Sequence, residues 1–160
     1  MTKLSLALRE LHRSELRLAR SLDAMADRHR SEHEIFHTAG GLALWSREHV
    51  ALIAQTGLRY GVTLRAHPHT AALTGAIQAW VGHRLARRPE PALLLLADLR
   101  HVHRLAAGVS LDWELLAQGA QAAKDSDLLR VTQRCHPQAL RQMRWANAML
   151  KELSPQALAS

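Results

Sequence analysis

Two very short links between long apolar stripes constrain this 160-residue sequence more than any other feature. Leu4, Leu8, Leu11, Leu18, Leu22 and Met25 recur at steps of four and three, the period of a helix that buries one face. Glu15 and His29 fall on the same stripe. The period resumes at Ile35 and runs through Thr38, Leu42, Trp45, His49, Leu52 and Thr56 to Gly57. A helix over 3–29 and another over 32–57 are therefore joined so tightly that they form an antiparallel hairpin. K-D-S-D at 124–127 makes a second tight link. It joins a helix over 92–122, with the stripe Asp98, Val102, Leu105, Val109, Asp112, Leu116 and Gly119, to a helix over 126–153 that stops before Ser154-Pro155. No stretch alternates as a strand would, and β-branched residues are sparse, so the fold is expected to be all-α.

Between the hairpins lie residues 58–91, with H-P-H at 67–69 and R-R-P-E-P at 87–91 as breakers. A shorter amphipathic helix over 70–86 is expected there, with Thr70 as N-cap and Leu73, Ile77, Trp80 and Leu85 on one side. Such a helix climbs about 25 Å, much of the length of the bundle.

Composition narrows the class. Hydrophobic residues make up 48% and charged residues 22%, the balance of a globular protein with a real core. The single cysteine, Cys135, excludes an intrachain disulfide and points to a reducing compartment. The first ten residues lack a signal peptide's apolar core, and P-A-L-L-L-L-A at 91–97 is far short of a membrane span. A cytoplasmic protein without a membrane partner is expected. The net charge of +7 comes from 18 arginines and three lysines, with acids interspersed almost everywhere. Arg9, Arg13, Arg17 and Arg20 line one face of the first helix and are candidate anion contacts, although Glu10, Asp23 and Asp27 dilute them. Nucleic-acid binding through that face is one functional alternative.

Two long hairpins joined by one long crossover are also the connectivity of ferritin-like bundles. In helix order, helix length and crossover position the chain resembles the ferritin-like four-helix bundle superfamily over almost its whole length. The resemblance implies an antiparallel bundle with a metal layer at mid-height, each hairpin giving a carboxylate from its first helix and Glu-x-x-His from its second. Glu15 interrupts the first stripe, and with the turn near residue 30 its level on the second helix lies within one turn of His49. Asp112 interrupts the third stripe, and with the turn near 124 it faces His136. Glu15, His49, Asp112 and His136 are thus expected to converge, with Ser46, Gln133 and Cys135 around them.

The motif itself departs from the family's. Ser46-Arg47-Glu48-His49 and Gln133-Arg134-Cys135-His136 stand where Glu-x-x-His is required, so both bridging glutamates are missing. Two readings remain open. The four residues hold one divalent ion, Zn²⁺ or Fe²⁺, or they form buried hydrogen bonds that satisfy polar groups in the core. The expected function is a non-catalytic structural or interaction role, as a homo-oligomer or with a protein partner, around a decayed metal site. A mononuclear metal-binding protein or oxidoreductase is the alternative.

Other features have local readings. Glu34 and His37 form a Glu-x-x-His pair, but Ser31 followed by Glu34 reads as a capping box at a helix start. His29, His33, Glu34, His37, Asp98 and His101 gather at one end of such a bundle as capped, solvated termini. Pro137 either kinks the last helix or divides it. Gly40, Gly41, Gly108 and Gly119 cost helix stability and are expected where another helix or a bound group approaches. Trp45, Trp80, Trp113 and Trp145 are expected to frame the core or an interface.

Overall fold

The computed structural model describes residues 2–67 and 90–159. It contains four long helices, α1 (Lys3–Arg28), α2 (His33–Leu58), α3 (Pro91–Ala122) and α4 (Ser126–Ala159), and no strand among the described residues. The crossover helix expected over 70–86 lies outside the described residues, and so does Trp80.

Local chemistry explains most of the ends. Thr2 caps α1, its hydroxyl oxygen accepting from the Ser5 amide at 3.2 Å. Gly61 closes α2 in the left-handed region, with φ at 68°. The Val62 amide then reaches back to the Gly57 carbonyl and the Gly61 amide to that of Leu58, the Schellman arrangement. The stop is therefore Gly61 and not Gly57. Lys124 plays the same part after α3, at φ 56°, with Asp125 and Lys124 amides bonded to the Ala120 and Gln121 carbonyls. Asp125 then caps α4 through the Leu128 amide at 2.9 Å.

Three local expectations are corrected. The N-cap of α2 is Glu32, with no side-chain cap, so Ser31 and Glu34 form no capping box. α4 runs as one helix past Pro155 to Ala159, beyond the expected stop before Ser154, and Pro137 lies inside it without dividing it. A proline withholds one hydrogen bond, but its fixed φ is helical, and a long packed helix tolerates the loss. The inward stripe of α3 is Leu99, Val102, Ala106, Val109, Trp113, Leu116 and Ala120, which places Trp113 inside and Asp112 on the flank. Both stripes share Val102, Val109 and Leu116. They differ in whether a carboxylate or an indole is buried, and burying the indole is much less costly.

Contacts at several heights set the topology. Leu4 lies against Gly119, Ser14 bonds Asp112 and Arg28 bonds Asp98, so α1 and α3 are antiparallel. Glu15 with His49 pairs α1 to α2, Ser110 with His136 pairs α3 to α4, and Leu42 with Gln142 pairs α2 to α4. Each neighbouring pair is antiparallel, hence α2 and α3 run parallel. This four-helix, all-α architecture is compatible with the ferritin-like connectivity. The large core side chains come mainly from α1 and α3, including Leu11, Leu18, Leu22, Leu99, Trp113 and Leu116, all fully buried. The inward face of α4 is smaller and more polar: Leu128, Thr132, Cys135, Ala139, Gln142 and Ala146. α2 and α4 touch over a short stretch, whereas the other three neighbouring pairs pack extensively.

Candidate functional site

The register places Glu15 in the middle of the inward stripe of α1, with no solvent exposure. Its Oε1 accepts two hydrogen bonds, from His49 Nδ1–H at 2.7 Å and from Trp113 Nε1–H at 2.8 Å. The other nitrogen of His49, Nε2, donates to Gln138 Oε1 at 2.7 Å. The edge of one ring meets the face of the other between His49 and Trp113, centroids 5.7 Å apart. All four helices thus contribute one side chain to a central polar layer.

Electrostatics follow from that geometry. Burial by itself pushes the His49 pKa down, but the neighbouring Cys135 and the hydrogen bond and charge of Glu15 outweigh it and raise the value to about 10. His49 is therefore an imidazolium at neutral pH, both N–H groups engaged, beside a buried carboxylate. One turn away, Gln142 donates to the Leu42 carbonyl and to Ser46 Oγ, both at 2.9 Å. Glu15 Oε2 and Gln142 Oε1 are buried without a partner.

The four residues expected to converge do not. Glu15 and His49 meet as a pair. Asp112 lies at the right height on the wrong side of α3, accepting from the Ser14 hydroxyl at 2.6 Å. His136 faces the flank of α3, 3.0 Å from Ser110 Oγ and 3.7 Å from Glu114. Of the surrounding residues, Ser46 and Cys135 are buried beside the layer and Gln133 is exposed. Among the described residues no three His, Cys, Asp or Glu side chains are grouped as a metal-ligand set. With both nitrogens of His49 committed inside the protein, the residues present do not fit the di-metal layer that the resemblance implied.

Trp113 and Gln138 complete the layer and are missing from the expected set. Trp113 had a signal, because the stripe through Leu99, Ala106, Trp113 and Ala120 is wholly apolar. Gln138, just past Pro137 on an otherwise polar stretch, had none.

Two depressions lie near titratable groups. One, of about 280 Å³, opens where α2 and α4 diverge, with His49, Cys135 and Gln138 at its floor and Glu48, Gln55 and Arg134 at its rim. The larger, about 520 Å³, lies between α1 and α2 near Asp23, Asp27 and His37, away from the central layer. Glu34 and His37 are both exposed. At that end of the bundle Asp98 accepts from Arg28 at 2.8 Å and from His29 at 2.8 Å. Burial raises its pKa, but those hydrogen bonds and charges prevail and hold it below the usual carboxylate value.

The candidate anion stripe is also divided. Arg13 is paired with Glu10 at 2.7 Å, Arg9 buries its Nε, and only Arg17 and Arg20 of the four stand exposed without an ion pair among the described residues. No described helix is long and apolar enough to cross a membrane. No family model, curated protein or solved structure gives a significant match to the chain.

Proposed function

We propose that this chain is a non-catalytic helical-bundle protein that acts by self-association, with its central polar layer serving as a structural lock inside a ferritin-like frame. The observation that carries the reading is the outer face of α3. Leu111 and Leu115, one turn apart, are 65% and 68% exposed, and Gly108 stands one turn before them with no atom near where its Cβ would be. Glycine inside a helix costs about 1 kcal/mol relative to alanine, and nothing among the described residues requires it at 108. The face is self-complementary. A second copy laid antiparallel brings Leu111 of one protomer onto Leu115 of its partner, and Gly108 lets the backbones approach.

Light scattering after gel filtration tests this. A dimer is expected for the wild-type chain and a helical monomer for Leu111→Glu with Leu115→Glu. A wild-type monomer at the highest soluble concentration would remove the proposal.

The unpartnered Oε2 of Glu15 favours the alternative, a single divalent ion, Zn²⁺ or Fe²⁺, at this layer, which His49 joins only by giving up a proton and its bond to Glu15 or Gln138. Elemental analysis of protein purified without added metal decides it. A stoichiometric ion, lost in both Glu15→Ala and His49→Ala, would replace the structural lock with a metal site.

A further inference from the structure

The sequence spreads arginines along every helix, and the tertiary structure gathers some of them. On α3, Arg100 and Arg104 are one turn apart and point outward, both exposed. On α4, Arg141 and Arg144 also occupy exposed positions. His103 Nδ1–H donates to the Met143 carbonyl at 3.1 Å, which fixes the antiparallel register of the two helices here and sets Arg104 level with Gln142, between Arg141 and Arg144. None of the four makes an ion pair among the described residues.

This face also lacks acids. There is no Asp or Glu between Leu99 and Leu111 on α3, nor between Leu128 and Lys151 on α4. Several other arginines are neutralised: Arg28 by Asp98, Arg30 by Asp27, Arg47 by Asp23, Arg130 by Asp127. Holding like charges together without counter-charges costs the fold stability, and a polyanion relieves that cost.

We propose that the outer α3–α4 face, through Arg100, Arg104, Arg141 and Arg144, binds the phosphate backbone of duplex nucleic acid without reading its sequence. Neighbouring turns of one helix present charges roughly 6 Å apart and the two packed helices stand roughly 8–10 Å apart. Four guanidinium groups therefore form a two-dimensional array on a rigid support. Each guanidinium offers a planar fork that matches phosphate oxygens. A lipid surface fits less well. Between Ala97 and Ala107 the outer face of α3 carries no exposed large apolar side chain, and the exposed leucines lie on other stretches of the chain. The site is distinct from the α1 stripe, whose charge is partly neutralised; on α3 it continues the side that carries Gly108, Leu111 and Leu115, so the duplex and the second copy approach neighbouring turns of one face.

Fluorescence anisotropy of a labelled mixed-sequence DNA duplex across a salt series tests the proposal. Four neutralised phosphates predict a log–log salt slope of about −3.6, and Arg104→Gln with Arg144→Gln should make it shallower by about 1.8. Affinity at low salt should fall at least about tenfold for that pair. The control, Arg17→Gln with Arg20→Gln, removes the same net charge from α1 and should leave the slope unchanged. No binding at low salt, or equal losses in both pairs, would overturn the site. Stronger binding to anionic vesicles than to the duplex, abolished by the α3–α4 pair, would assign the face to lipid and overturn the proposal as well.

Discussion

Glu15 and His49 meet at 2.7 Å in the middle of the bundle, a carboxylate and an imidazolium that are both almost completely shielded from water. Desolvating two charges is expensive, and their attraction offsets it only when the remaining polar atoms are also bonded. Trp113 adds a second bond to Glu15 Oε1 and Gln138 takes the other nitrogen of His49, while Glu15 Oε2 is left without a partner. Removing either member leaves the other buried without its counterpart, so the two losses are coupled.

Glu15→Ala and His49→Ala are each expected to lose about 3–5 kcal/mol of stability, because each leaves a buried polar group without its counterpart. The double variant should lose less than the sum, with a coupling of about 1–3 kcal/mol. Urea unfolding of the four proteins measures this. Additive losses would mean that the two side chains stabilise the fold independently.

Alkaline pH should weaken the protein through His49. Its pKa is about 10 in the folded chain against an ordinary value of 6.5. A folded pKa above the unfolded one adds stability that is complete below about 6.5 and is lost as pH rises through about 10. The urea midpoint should therefore decline between these values, and His49→Gln should remove most of that decline. A midpoint with the same slope in both proteins would contradict the imidazolium assignment.

Two helical glycines should respond oppositely to alanine. At Gly41, on the exposed face of α2, a Cβ would meet nothing, so Gly41→Ala should add about 0.5–1 kcal/mol. At Gly57 the Cβ would sit 3.1 Å from the Val62 carbonyl oxygen, in a turn held by the Val62 amide's bond back to Gly57. Gly57→Ala should therefore bring no gain. Equal stabilisation at both sites, read by urea unfolding, would show that the turn is free to shift.

Much of the helical frame was legible. Expected ends at 3–29, 32–57, 92–122 and 126–153 compare with observed helices whose ends differ by at most one residue, except that α4 continues to Ala159. The level of Glu15 with His49 also followed, because a short hairpin ties position along one helix to position along the next. Asp112 and His136 failed for a different reason. Their heights agree, as the Ser110–His136 contact shows, but height leaves rotation about the helix axis undetermined. Two stripes that share Val102, Val109 and Leu116 differ by about 100° at the next position, and the chain turned Trp113 inward.

The sequence by itself determined that the chain is helical, where its links are short and which neighbours are antiparallel, since periodicity and loop length act locally. Only the tertiary structure decided which polar groups face one another. It joined Glu15 to His49, Trp113 and Gln138 and turned Asp112 to Ser14. Those outcomes depend on the rotation of each helix against its partners. That rotation is set by the packing of all four inward faces together, a sum that no single segment carries.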